Sequence, residues 1–165
     1  GHDPHSIMLF NEQYSILISA DALWENGFGV VFPELIGESG FSEIASTLDL
    51  IDDLKPKIII PGHGRPFADI ETSLRTARSK LAYLSSDPKR NAEHAAKVLL
   101  KYKLLEWQSI EISKAIEWIK STPLMTTIGK QLGREIDDLA DWLPPALCKT
   151  GGAIIHQNLI ANAEK

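Results

Sequence analysis

Two histidines and one aspartate stand next to apolar runs, where a strand can hold a side chain in place and still leave it accessible. His2 precedes the first apolar run, Asp21 follows the second, and His63 lies in a Pro-Gly-His-Gly turn after the third. Imidazole and carboxylate groups are the ligands of zinc and iron sites. Glycines on both sides of His63 would let the backbone bend closely around an ion. The three side chains together predict a metal site.

Each of the three residues also has an ordinary structural interpretation. His63 alone would be a polar turn residue, Asp21 alone a turn or capping residue, and His2 alone the remnant of a purification tag. What favours a metal site is their occurrence together, each at the edge of a predicted strand.

The elements that would position these residues can be predicted from the pattern of residues 1–87. The pattern predicts a hairpin of strands at 6–10 and 14–20, a helix from the N-cap Ser42 to Leu54, a strand at 57–60 and a helix from the N-cap Asp69 to about Leu84. The first of these helices is predicted because its apolar residues are spaced three and four positions apart. The strand at 57–60 is nearly all apolar, as in a strand buried on both faces.

Residues 88–165 follow a different pattern. Helices are predicted at 89–106, 109–121 and 132–147, followed by Gly151-Gly152 and a strand-like segment at 153–156. Three helices and a small hairpin are the outline of a winged-helix module. The charge changes at the same place, since residues 1–87 carry six basic and 13 acidic side chains and residues 88–165 carry 11 and nine. With 165 residues, the chain has room for one full domain or two small ones, and we predict domains at 1–87 and 88–165.

Three segments of the first part carry a family resemblance. They are Gly1-His2-Asp3-Pro4-His5-Ser6-Ile7, Ser19-Ala20-Asp21 and Ile59-Ile60-Pro61-Gly62-His63-Gly64. In this order they resemble the second half of a metallo-β-lactamase-fold hydrolase of the hydroxyacylglutathione-hydrolase-like branch. The resemblance implies that His2 binds a first metal, Asp21 bridges two metals as a catalytic residue, and His63 binds the second. It implies two divalent ions, zinc or alternatively iron or manganese.

One part of the family pattern has no counterpart here. The leading His-x-His-x-Asp-His signature, which supplies most ligands of the first metal, does not occur in the chain. The expected fold class is therefore α+β, namely the C-terminal half of the αββα sandwich followed by a small, mostly helical winged-helix-like module. We expect the chain to be a fragment of a longer enzyme, inactive by itself and weak in metal binding, because three ligands shared between two ions leave each ion short of donors.

For the full-length parent, the resemblance implies hydrolysis of a thioester, a lactone or a related ester by metal-activated water. The substrate would be a small molecule, and the aromatic side chains of Trp24 and Phe28 could line its pocket. The alternative is that these aromatics belong to the core and anchor the loop after Asp21.

Two other functions stay open on the sequence alone, a metallonuclease of the same fold and a non-catalytic helical interaction module. Acidic residues at 135, 137, 138 and 141 against the single Arg134 speak against nucleic-acid binding by the helix 132–147. The single cysteine, Cys148, and the lack of a signal peptide predict a cytoplasmic protein, and the absence of long apolar runs predicts no membrane contact. A sheet cut open by truncation would favour a homo-oligomer.

Overall fold

A computed structural model of the chain describes residues 5–163 as a mixed α+β protein. Contacts divide the chain into two compact units, Gly1–Asn91 and Ala92–Lys165. The division lies four residues after the one predicted from charge and pattern, in the first turn of a helix. Within residues 5–163, no helix combines the length and the hydrophobicity that crossing a bilayer requires.

The first unit is built on a three-stranded sheet and two long helices. Its elements are strand β1 (Leu9–Asn11), strand β2 (Ile16–Ala20), a 3-10 helix (Pro33–Ile36), helix α1 (Phe41–Leu54), strand β3 (Ile58–Pro61) and helix α2 (Ile70–Ser85). The strand order is β1-β2-β3. β1 pairs with β2 in the antiparallel direction, as the predicted hairpin requires, and β3 pairs with β2 in parallel. The carboxyl ends of β2 and β3 therefore meet at one edge of the sheet.

The register between β2 and β3 is interrupted near that edge. Ile18 pairs with Ile60 but Ala20 pairs with Pro61, which is a bulge at the end of β2. Ala20 has a φ of 47°, in the left-handed region. A bulge turns the chain and redirects the next side chain, and here the next side chain is that of Asp21.

One face of the sheet belongs to the hydrophobic core of the first unit. The inward side chains of β2 and β3 pack with apolar side chains of α1, of α2 and of the loop after β2, and the core residues are Leu17, Leu23, Phe28, Val31, Ile44, Leu48, Ile51, Ile59, Phe67, Leu74, Ala77 and Leu84. The helices contribute to this core because their apolar residues recur every three or four positions.

The opposite face of the sheet is apolar but exposed. Leu9, Ile18 and Ile60 lie side by side in register across the three strands and are 58%, 45% and 38% exposed, and Ile58 on the same face is 40% exposed. We call these four residues the open face. The prediction that the strand at 57–60 is buried on both faces is therefore wrong, because only the Ile59 side of β3 is covered in this chain. A run of β-branched residues does not by itself show whether the second face is covered.

Helix α1 begins differently from the prediction. Its N-cap is Gly40 instead of Ser42, and Gly40 has no side chain with which to cap the helix. The carboxylate of Glu34, in the 3-10 helix, accepts hydrogen bonds from the backbone N–H groups of Gly40 and Phe41, both at 2.9 Å. The N-cap Asp69 of α2 is confirmed, since its side chain accepts from the N–H of Thr72.

This distant cap gives a first prediction. Replacing Glu34 with alanine should lower the free energy of unfolding by about 1 kcal/mol, because two N–H groups at the start of α1 lose a charged acceptor. Urea denaturation measures the change. Glu38→Ala removes the same charge from the same loop and serves as the control. An equal loss of stability in both variants would contradict the capping role.

The second unit consists of helices and a small antiparallel sheet. Its elements are helix α3 (Pro88–Trp107), strand β4 (Ser109–Glu111), helix α4 (Ile112–Ser121), helix α5 (Pro123–Leu132), helix α6 (Ile136–Lys149), strand β5 (Ala153–His156) and strand β6 (Leu159–Asn162). The strand order is β4-β6-β5. The predicted segment at 153–156 is a strand, and it forms a hairpin with β6.

Two boundaries in the second unit correct the prediction. The segment predicted as one helix from 109 to 121 begins with β4, because Gln108 has a φ of 62° and ends α3. Helix α5 was not predicted, although Pro123 in its first turn and Gly133 at its left-handed C-cap are ordinary start and stop signals. The helix predicted from 132 therefore begins only at Ile136.

One ammonium group holds the end of the small sheet. Lys101 Nζ donates to the carbonyl oxygens of Gly152, at 2.9 Å, and Ala163, at 2.8 Å, and to the side-chain oxygen of Asn162. These bonds join α3 to the chain on both sides of the β5–β6 hairpin.

Candidate functional site

The parallel pairing of β2 with β3 brings Asp21 and His63 together. Asp21 is the first residue after β2, and His63 lies two residues after the end of β3. Asp21 Oδ1 and His63 Nε2 are 3.6 Å apart. Their side chains are 25% and 58% exposed, so both are open to solvent. These two of the three predicted ligands, 42 positions apart in the chain, thus form one cluster at the sheet edge.

The third predicted ligand, His2, lies outside the described residues. Over residues 5–163, no group of three or more histidine, cysteine, aspartate or glutamate side chains is arranged to hold a metal ion. The described part of the site is therefore a carboxylate–imidazole pair.

Gly62 makes the close approach of Asp21 and His63 sterically feasible. Its N–H donates to the carbonyl oxygen of Ala20 at 2.7 Å, which closes the sheet edge beside the pair. A Cβ atom on Gly62 would lie 2.8 Å from Asp21 Oδ1 and 3.1 Å from the carbonyl carbon of Ala20. The shorter distance lies below those of real Cβ contacts and the longer one is tight, so a side chain here would displace the Asp21 carboxylate or the end of β2, whereas glycine fits.

Trp24 contacts both members of the pair. Its indole Nε1 donates to Asp21 Oδ1 at 3.0 Å. Its ring meets the imidazole of His63 edge to face, with centroids 5.2 Å apart and an interplanar angle of 80°. The sequence analysis predicted Trp24 as a pocket residue, which stays a prediction, and the structure shows it in contact with two of the predicted ligands.

Phe28, the other predicted pocket residue, is fully buried and belongs to the core of the first unit. Its position matches the alternative interpretation, in which an aromatic side chain anchors the loop. The loop turns tightly before it, since the N–H of Trp24 donates to the carbonyl of Gly27 at 2.6 Å. It then closes back on the site, because the N–H of Gly29 donates to the Asp21 carbonyl at 2.9 Å.

Lys80 of α2 holds the same loop, and sequence reasoning did not identify it. Its Nζ donates to the carbonyl oxygen of Phe28 at 2.9 Å and lies 4.8 Å from the centroid of the Phe28 ring. Burial lowers the pKa of Lys80 from 10.5 to about 8. A lysine in the middle of an amphipathic helix gives no sequence signal for such a contact, because exposed lysines occupy the same positions.

The lowered pKa of Lys80 predicts a pH dependence of stability. Between about pH 8 and 10.5 the unfolded chain keeps a proton that the folded chain has released, so the free energy of unfolding should rise with pH. The shift of about 2.5 pKa units sets an upper limit of about 3.5 kcal/mol, at about 1.4 kcal/mol for each pKa unit. Urea denaturation at several pH values measures the rise.

The matched variants for this prediction are Lys80→Met, which should lack the rise, and Lys89→Met, which should keep it. Other groups that titrate in this range contribute equally to all three chains and cancel in the comparison. If Lys80→Met and the unsubstituted chain changed in parallel with pH, the assignment to Lys80 would be wrong.

A groove of about 720 Å³ is lined by residues of α1, of α2 and of the turn between α1 and β3. Of the predicted site residues that the structure describes, none lines it. Arg78 at its wall pairs with Asp49 at 2.8 Å and with Asp52 at 3.0 Å, which ties the two helices together. The groove therefore adds no group to the cluster at the sheet edge.

Comparisons with known proteins add no family to this description. No protein-family model matches the chain, and a search of curated proteins finds no significant match. Fold and site define the protein at a coarse level, as a mixed α+β chain with a carboxylate–imidazole–indole cluster where two parallel strands end.

Proposed function

We propose that the chain is the second half of a metal-dependent hydrolase of the metallo-β-lactamase superfamily, which cleaves a thioester, a lactone or a related ester. The observation that carries the proposal is the pair Asp21 and His63, at 3.6 Å, beside the ends of two parallel strands. The resemblance assigns a ligand to each of these positions, and the fold brings the same two side chains together.

The spacing within the pair fits ligands of one ion. A hydrogen bond would need about 2.7–3.2 Å between donor and acceptor, so 3.6 Å is too long for one. Two donors on one tetrahedral zinc ion, with bonds near 2.0–2.2 Å, are separated by about 3.4 Å. A Cβ atom on Gly62 would collide with Asp21 Oδ1, so the glycine preserves the position of this donor beside His63.

The residues of this chain have distinct parts in the proposed reaction. A bound pair of ions supplies polarisation of the substrate carbonyl and a lower pKa for attacking water, so no serine or cysteine nucleophile is needed. Asp21 supplies a carboxylate that can bind through two oxygens, and His63 supplies a neutral imidazole nitrogen. His2 would complete the ligands contributed by this chain.

The open face supports the proposal of a half domain. In an αββα sandwich each sheet carries helices on one face and the second sheet on the other. Leu9, Ile18, Ile58 and Ile60 offer the second sheet an apolar surface free of charged side chains, with residues of neighbouring strands in register. Aliphatic side chains from two such faces interdigitate across about 10 Å. The His-x-His-x-Asp-His motif would belong to the part of the enzyme that covers this face.

The order of elements in the second unit supports its interpretation as a winged-helix-like module. Three helices lie between β4 and the β5–β6 hairpin, and β4 pairs with β6, so the hairpin extends from a three-stranded sheet. The first turn of α6 carries Asp137 and Asp138, and Lys120 pairs with Asp137 at 2.6 Å. This acidic first turn would repel phosphate groups, which argues against nucleic-acid binding through α6.

Zinc binding tests the proposed site. In equilibrium dialysis, the unsubstituted chain should bind zinc weakly, and Asp21→Asn and His63→Gln should each abolish that binding. Asp87→Asn is the matched control for a lost carboxylate outside the cluster. Zinc binding unchanged in Asp21→Asn and His63→Gln would overturn the proposed site, and one or more tightly held ions per chain would overturn the half-site.

The nuclease alternative and the interaction-module alternative predict different results. A nuclease of the same fold should bind duplex DNA in a salt-sensitive manner, whereas we expect no such binding below micromolar concentrations. Fluorescence anisotropy with a labelled duplex at two salt concentrations makes the measurement. Tight DNA binding that weakens with salt would favour the nuclease. Zinc binding that is unchanged in Asp21→Asn would favour the non-catalytic interaction module.

A further inference from the structure

Trp24 occupies an unusual place at the sheet edge, because one side chain contacts both proposed metal ligands. The indole N–H donates to Asp21 Oδ1 at 3.0 Å, and the same ring lies against the His63 imidazole. Asp21 follows β2 and His63 follows β3, and Trp24 lies in the loop that begins with Asp21.

The contact with Asp21 restricts the rotation of the carboxylate. A carboxylate accepts hydrogen bonds at about four sites, so one indole N–H occupies part of Oδ1 and leaves Oδ2 and a second lone pair of Oδ1 for other partners. Asp21 is partly exposed, and the hydrogen bond favours the rotamer in which Oδ1 faces His63 Nε2.

The contact with His63 restricts the imidazole in a similar way. His63 follows Gly62 and precedes Gly64, so its own backbone gives it little support, and its side chain is 58% exposed. An edge-to-face aromatic pair stabilises a ring orientation by about 0.5–1.5 kcal/mol. The Trp24 ring therefore favours the orientation in which the His63 ring faces Asp21.

Trp24 is itself held by the loop. Backbone hydrogen bonds join it to Gly27 in both directions, and Phe28, next along the chain, is fixed in the core and bonded by Lys80. The indole thus stands on a rigid turn. Rigid support of this kind is what keeps groups around a metal site in place.

We propose that Trp24 is a positioning residue that orients Asp21 and His63 for a divalent cation. The inference rests on the proposed function, since it assigns a role toward the ligands named there. The predicted place of Trp24 in a substrate pocket stays a prediction beside it.

Removing the N–H without removing the ring separates positioning from packing. Trp24→Phe keeps an aromatic ring beside His63 and loses the hydrogen bond to Asp21, and Trp24→Ala loses both contacts. Groups that orient metal ligands contribute about tenfold to a hundredfold to metal affinity. We expect zinc to bind about tenfold more weakly to Trp24→Phe, and more weakly still to Trp24→Ala. Trp107→Phe, which replaces a tryptophan packed on Trp118 in the second unit, should bind zinc like the unsubstituted chain.

The indole proton of Trp24 provides a readout that does not depend on activity. The chain has four tryptophans and so four indole N–H signals in an NMR spectrum, and the one missing from Trp24→Phe is assigned to Trp24. Zinc should shift this signal as the chain is titrated, because the ion withdraws electron density from its acceptor Asp21. The three other indole signals should move little.

The outcomes distinguish this inference from the proposed function. If zinc binding depends on Asp21 and His63 while Trp24→Phe binds normally and the indole signal stays fixed, only the positioning role is overturned. If zinc binding is insensitive to Asp21→Asn as well, both proposals fall. Weaker binding in Trp24→Phe together with a zinc-dependent indole shift supports both. Circular dichroism of each variant confirms that the helices of the chain are retained.

Discussion

Gly62→Ala is expected to weaken zinc binding by about tenfold to a hundredfold, the range found when groups that orient metal ligands are disturbed. The new Cβ atom would lie 2.8 Å from Asp21 Oδ1 and 3.1 Å from the Ala20 carbonyl carbon, so the carboxylate or the end of β2 must move. Overpacking of this kind also lowers the free energy of unfolding, by about 1–3 kcal/mol. Equilibrium dialysis and urea denaturation measure the two effects.

Gly37→Ala is the control that separates a loss of zinc affinity from a general loss of stability. Gly37 has a φ of 79° and nothing within 4 Å of its Cβ position, so alanine there strains the backbone without a clash. This variant should lose about 1 kcal/mol of stability and keep its zinc affinity. Equal zinc affinity in Gly62→Ala and Gly37→Ala would show that the space beside Asp21 is not needed.

The second large effect concerns two neighbouring residues on opposite faces of β2. Leu17 is fully buried and Ile18 is 45% exposed on the open face. Leu17→Ala should lower the free energy of unfolding by about 2–5 kcal/mol, because it leaves a cavity between the sheet and the helices. Ile18→Ala should lower it by about 1 kcal/mol or less in the isolated chain.

This pair tests the idea of an uncovered sheet face directly. Urea denaturation of both variants gives the comparison, and analytical ultracentrifugation of Ile18→Ala shows whether the open face drives self-association. A loss of stability in Ile18→Ala as large as that in Leu17→Ala would mean that the face is covered within this chain. Such a result would contradict the proposed half domain.

Much of the first unit could be predicted from the sequence, because local patterns determine it. The hairpin of β1 and β2, the strand before His63 and the Asp69 cap of α2 all have short-range signals. The placement of Asp21 and His63 at strand ends also follows from local pattern. Their proximity needs one more fact, the parallel pairing of β2 with β3, which no local pattern specifies.

The features that were missed depend on residues distant in the chain or on surfaces. Glu34 caps α1 from six and seven positions away, which a local capping pattern does not show. The local pattern instead favours Ser42, a common N-cap residue type. The exposure of one face of β3 cannot be read from a run of isoleucines, because strands covered on one face and strands covered on both can have this composition. The contacts of Trp24 and Lys80 arise from the loop's path through space.

The bulge at the end of β2 has a further consequence for how the chain could be altered. Ala20 adopts a left-handed backbone, which costs a residue with a Cβ about 1–2 kcal/mol, directly before the carboxylate of Asp21. A glycine at this position would remove that strain, and it is the kind of substitution by which proteins are made more heat-resistant. The same glycine would let the chain before Asp21 sample more directions. At position 20, glycine would therefore raise thermal stability, whereas alanine holds the Asp21 carboxylate in a more defined direction. The chain has alanine there.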